Sequence, residues 1–244
     1  MASRTWLVPT GLVALSLVPS VAGAARLTQL AAGAEVTEAN QRFFDLPLPV
    51  ILHILGAVPF CIVGAFQFSA AVRRRWPRWH RLAGRVLVLC GLVTAASGLW
   101  MTFAYDLPAA DNTATNVYRV IFGTGMLASI LLGLAAVRRR DFRGHEAWMI
   151  RGYAIGLGAG TQFLTHVPWL LFLGTPSPFT RSFLMLAGWV INLAVAERVV
   201  RRSRRAPSRR APATRARATS APATSAPATS APAAPAPATS ATAA

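Results

Sequence analysis

The sequence has no lysine, only eight acidic residues and only two cysteines in 244 positions, and each scarcity excludes something. All 25 basic residues are arginine, so the formal net charge reaches +17 while 54% of the chain is hydrophobic. One soluble globule cannot carry both properties evenly, so they must be segregated along the chain. Cys61 and Cys90 both lie in apolar runs without CxxC or Cys/His spacing, which excludes a zinc site and a disulfide framework as expectations. No nucleotide-binding loop, nucleophile elbow or HExxH motif occurs, so soluble-type hydrolysis and phosphoryl transfer have no support.

What the chain does have is long apolar runs separated by arginine clusters. A membrane-crossing helix needs about 20 mostly apolar residues, because each adds about 1.5 Å across a hydrocarbon core of about 30 Å. Six segments meet or approach that length: Trp6 to Ala25, Leu48 to Val72, Ala83 to Tyr105, Val120 to Val137, Ala147 to Phe172, and the shorter Phe183 to Ala196. The expected fold is therefore all-α, a polytopic transmembrane helix bundle of about six spans, with the lipid bilayer as its first partner. The connection from Arg73 to Arg85 holds six arginines and no acid, and that from Arg138 to Arg151 holds five against Asp141 and Glu146. Both are expected to be cytoplasmic, with both termini on the same side, since arginine-rich loops stay inside. Basic runs that flank spans or lie in a low-complexity tail do not form the basic reading face of a nucleic-acid-binding domain, so no nucleic acid is expected as partner.

Three regions follow: a first span with its outward loop at 1–47, a helix bundle at 48–202, and an Arg/Ala/Pro/Thr/Ser tail at 203–244 that has no apolar periodicity and is expected to be disordered. The first span has a rival reading as a secretory signal peptide, because Ala22-Gly23-Ala24 makes an A-x-A cleavage pattern behind an apolar stretch.

Four histidines occur. His53 and His166 each lie eight residues from the outward end of a span, about 12 Å deep at the helical rise, and two imidazoles at one depth on different helices suit the iron of a b-type haem. The plainer reading makes each a hydrogen-bonded polar residue, with Gln162 one turn away as a partner for His166. His80 and His145 sit in loops that match at an offset of 65, Arg73-Arg74-Arg75, Arg78 and His80 against Arg138-Arg139-Arg140, Arg143 and His145. Such a parallel repeat of helical hairpins would place the two histidines together on the arginine face, to hold a second haem, to bind an anion with Arg81 and Arg151, or to titrate there. His53, Ala57, Phe60, Gly64 and Gln67 share one face of the second span. Glycines recur at spacing four in the fifth span (Gly152, Gly156, Gly160) and at spacing seven in the third (Gly84, Gly91, Gly98), which lets helices approach closely.

Three ordered motifs carry a resemblance. His53-Ile54-Leu55-Gly56 with Gly64-Ala65-Phe66-Gln67-Phe68, then His80-Arg81-Leu82-Ala83-Gly84-Arg85, then His145-Glu146-Ala147-Trp148-Met149-Ile150-Arg151 resemble the bacterial membrane proteins grouped as domain of unknown function 2306. The resemblance runs from about Leu48 to about Arg202 and implies a multi-span protein of the bacterial cytoplasmic membrane, without an activity. The paired histidines also resemble the two-haem cytochrome b561 bundle, but there the ligands repeat on single helices, whereas His53 to His80 and His145 to His166 are 27 and 21 residues apart.

The functional expectation is a haem-binding redox protein with an electron-transfer partner in the membrane. Its candidate site residues are His53, His166, His80, His145, Gln67, Gln162, Arg81 and Arg151. The alternatives are a transporter-like protein handling a small solute or lipid, and a purely structural membrane partner.

Overall fold

The computed structural model describes residues 3–205, and these form helices and their connections, with no strand among the described residues. The expected disorder of the tail falls on residues 206–244, outside the described residues. The helices are α1 (Ser3–Ala31), α2 (Gln41–Asp45), α3 (Pro47–Gln67), α4 (Ala70–Arg75), α5 (Pro77–Ala104), α6 (Thr113–Arg138), α7 (Phe142–Gly156), α8 (Gly158–Leu173) and α9 (Pro178–Arg205).

Local chemistry sets most of these boundaries. Pro47 and Pro77 open α3 and α5, where a missing N–H costs nothing. Ser69, Asn112 and Asp141 cap α4, α6 and α7 by accepting the backbone N–H of Val72, Thr115 and Gly144. Between α6 and α7 the chain reverses within three residues, and Arg140 takes the left-handed conformation at φ 61° to allow it.

Five helices, α1, α3, α5, α6 and α9, are long and apolar enough to cross a membrane. The expected fifth span from Ala147 to Phe172 departs from the sequence expectation: it is not one helix but two, α7 of 15 residues and α8 of 16, meeting at Leu157. Glycines flank the join at positions 156 and 158, and glycine holds helix weakly. Backbone freed inside a membrane must find partners. Asn192 Nδ2 of α9 donates to Ala154 O at 3.0 Å, the Cys61 thiol of α3 to Gly156 O at 3.6 Å, and Thr161 Oγ1 to Asn192 Oδ1 at 2.7 Å. Asn192 thereby bridges the two sides of the break.

Successive crossings run antiparallel, and named contacts at both ends show it. Trp6 near the start of α1 packs edge-on to Phe66 at the end of α3, while Gly23 of α1 faces Ile54 near the start of α3. Tyr105 at the end of α5 donates its hydroxyl to Leu46 O, just before α3. At that same end Asp111 joins α6 to α9 through Arg119 and Arg181. At the opposite end Arg73 approaches Glu146 of α7. The arginine-rich connections therefore collect on one face of the bundle.

The α3–α5 seam is regular. A Cβ added to Gly98 would stand 3.3 Å from the His53 ring, one on Gly91 2.6 Å from the Phe60 ring, and one on Gly84 3.7 Å from Gln67 Oε1. The glycine stripe of α5, with its period of seven, is the row of holes that receives residues 53, 60 and 67 of α3.

Candidate functional site

His53 is seated in the uppermost of these holes, away from the arginine face. Its Nδ1 lies 3.0 Å from Thr94 O, with Ser97 Oγ at 3.4 Å. A carbonyl only accepts, so Nδ1 carries the proton and Nε2 keeps its lone pair. Thr94 and Ser97 are held in turn by their own hydroxyl bonds to Cys90 O at 2.7 Å and Val93 O at 2.6 Å. An imidazole tied through one nitrogen to a backbone carbonyl is oriented as metal-ligating histidines are.

The ring borders a cavity of about 480 Å³, within the range of about 300–1,000 Å³ usual for pockets that enclose a cofactor-sized ligand. The space exists because small residues face it: Ala57 of α3, Ala95 and Gly98 of α5, Gly123 of α6, and Ala159 and Gly160 of α8. Apolar walls come from Val58, Phe122, Met126 and Trp189, the last stacked on Phe122 with ring centroids 4.6 Å apart. The α7–α8 break lines it directly through Gly156 and Leu157. Toward the bundle end that carries α2, the lining turns polar with Arg42, Tyr105, Asp106, Asn116 and Arg119.

Asp111 organises that end. Its side chain is only 1% exposed, and it accepts from Arg119 Nη2 at 2.6 Å and Arg181 Nε at 2.7 Å. Burial works against its charge, but the hydrogen bonds from Arg181 and Arg119, with the charge of both guanidiniums, hold the carboxyl below its ordinary value.

The other candidate residues divide around this cavity. Gln162 borders it, with its Nε2 donating to Met185 O at 3.1 Å. His166 does not border it: Nδ1 lies 2.7 Å from Gln162 O, and Nε2 is buried without a hydrogen-bond partner among the described residues. The structure thus brings His53 and Gln162 to one space and leaves His166 outside it. Gln67, His80 and His145 stand near the arginine face. Gln67 Nε2 and His80 Nδ1 are buried without partners there, while His145 Nδ1 lies 2.9 Å from Gly133 O. His80 and His145 are each the fourth residue of their helix and lie within electrostatic range of one another. Arg81 is exposed. Arg151 is engaged, its guanidinium bound twice to Glu197 and set 4.8 Å from the Trp148 ring.

Sequence reasoning did not single out Arg42 and Arg119. A lone arginine within a few residues of a span, in a loop otherwise acidic, was the available signal.

No curated protein and no solved structure matches this chain. A family model described as a predicted membrane protein, DUF2306, matches residues 50–200, the region holding most of α3 to most of α9 and the cavity wall apart from its α1 and α2 residues. The chain is a member of the DUF2306 family of membrane proteins.

Proposed function

We propose that this membrane protein is a redox carrier that holds a b-type haem in the cavity, with His53 as axial ligand. One observation carries the reading: His53 stands in the wall of a ligand-sized cavity with Nδ1 tethered to a carbonyl and Nε2 free of any hydrogen bond among the described residues. Small residues leave room for a flat macrocycle beside α5, and Arg42 and Arg119 at the polar end suit the propionates. Bound there, haem would supply one-electron chemistry. The chain's own residues orient the imidazole, exclude water with apolar walls and compensate acid groups at the rim. His166 is not placed to be the second ligand, so the geometry favours a single-histidine site over the matched pair. By the same proposal the arginine face is cytoplasmic, in a bacterial inner membrane, as the distribution of arginine favours.

The test is the visible spectrum of detergent-purified protein expressed with ample haem, oxidised and dithionite-reduced. A Soret band is expected, lost in His53→Ala and kept in His166→Ala, with all three proteins eluting alike on size exclusion. A colourless well-folded protein, or a band indifferent to His53→Ala, overturns the haem reading. Loss in both variants restores the two-histidine site. A second reading, a carrier of small solutes or lipids, draws on the helix broken at Leu157 beside the cavity, since broken helices at mid-membrane often line substrate sites. A colourless protein would favour it.

A further inference from the structure

Charge at the mouth of the cavity is unbalanced in a way that selects a ligand. Among the described residues Asp106 is the only acidic one bordering the cavity, whereas Arg42 and Arg119 both border it. Arg119 shares the single carboxylate of Asp111 with Arg181, so one negative charge serves two positive ones. Arg42 makes no ion pair among the described residues. Its guanidinium lies 4.7 Å from the Phe43 ring centroid, and Arg26 lies 4.4 Å from the same centroid. Phe43 is fixed in turn edge-on to Tyr105, with centroids 5.5 Å apart at 84°. An aromatic pedestal thus holds Arg42, a guanidinium without a carboxylate partner, at the polar mouth of a cavity whose further walls include Ala57, Phe122 and Met126. A neutral apolar guest would leave that charge unanswered.

We propose that the cavity recognises its ligand by an acidic head, and that the ligand class is an amphipathic carboxylate: the acid group pairs with Arg42, and the apolar body lies among Ala57, Ala95, Phe122 and Met126. The inference rests on the cavity being a ligand site, as the proposed function does, but not on iron or on His53. Two sources share this chemistry, the propionate edge of a haem and a free long-chain acid from the bilayer.

The experiment uses full-length protein in a non-ionic detergent, titrated with a dansyl-labelled fatty acid and with its methyl ester, the readout being dansyl fluorescence. The acid is expected to bind about tenfold or more tightly than the ester, the scale of one charge-assisted contact. Arg42→Gln should erase the preference, Arg42→Lys should keep most of it, and Arg202→Gln on the far face should leave it intact. Equal binding of acid and ester, no binding of either, or an unchanged preference in Arg42→Gln overturns the inference. Competition separates the two sources. Haem that displaces the acid marks its propionates as users of the same mouth, and haem that binds without displacing it overturns the shared site. A protein that takes the acid and never haem ends the haem proposal and leaves this one standing.

Discussion

The two halves of the bundle share one seam and end in opposite conditions. In the half nearer the arginine face, the α3–α5 seam is backed by aromatic rings: Tyr153 of α7 packs against Phe60 and Phe68 at centroid distances of 5.6 and 4.8 Å, and its hydroxyl donates to Cys61 O at 2.6 Å. In the other half Gly123, Ala159 and Gly160 stand among Phe122, Met126 and Trp189 across from the seam, and space stays open beside His53. Gln67 and His53 occupy equivalent holes in α5, yet Gln67 Nε2 is sealed from water while His53 borders the cavity. A repeated packing motif sets where side chains sit, and the third helix across from it decides whether they can meet a ligand.

The largest effect should come from removing the plug of the closed half. Tyr153 is 5% exposed, and Tyr153→Ala should cost about 3–5 kcal/mol, the scale for deleting a buried aromatic ring. It would be seen as a large fall in the unfolding midpoint in detergent. If the midpoint holds, the halves do not differ by aromatic filling.

Next in size is the clamp above the open half. Asp111→Asn leaves Arg119 and Arg181 uncompensated and should cost about 2 kcal/mol at neutral pH, less than for a fully buried pair because both arginines reach solvent. The folded carboxyl is held below its ordinary value, so its contribution is complete above the unfolded value of about 3.9 and is lost as pH falls through the lower folded value. The gap in stability between wild type and variant should therefore close on acidification below about pH 4. A pH-independent gap would show that the charge is not the cause.

The smallest effect sharpens the comparison within the seam. Gly98→Ala meets the His53 ring at 3.3 Å, and Gly84→Ala meets Gln67 at 3.7 Å. Both should change stability by less than about 1.5 kcal/mol. Only Gly98→Ala should weaken ligand retention, because it moves the imidazole off its Thr94 tether. Equal retention in the two variants would argue that the seating of His53 does not matter.

Much of this was legible one helix at a time. The helical character of the apolar runs, the inward face of α3 from His53 to Gln67 and the glycine period of α5 are local patterns, and they appear in the structure. Which glycine meets which residue was not, because those partners lie 17 to 45 positions apart and the pairing depends on the antiparallel register. His166 illustrates the same limit. Its distance from the span end matches that of His53, but its ring turns back to its own helix at Gln162 O, a choice made by rotamer and neighbours. The break at Leu157 was hidden because the apolar run is unbroken there, and glycines that weaken a helix also serve packing.

What the sequence determined by itself was the partition of the chain: helices long and apolar enough for a bilayer, separated by arginines that collect on one face, because hydrocarbon admits only backbone whose hydrogen bonds are satisfied and few charges. What only the tertiary structure decided was where space remains and which charges stand beside it. Those depend on residues from eight helices meeting at once, α1, α2, α3, α5, α6, α7, α8 and α9, and no single helix encodes the hole they leave.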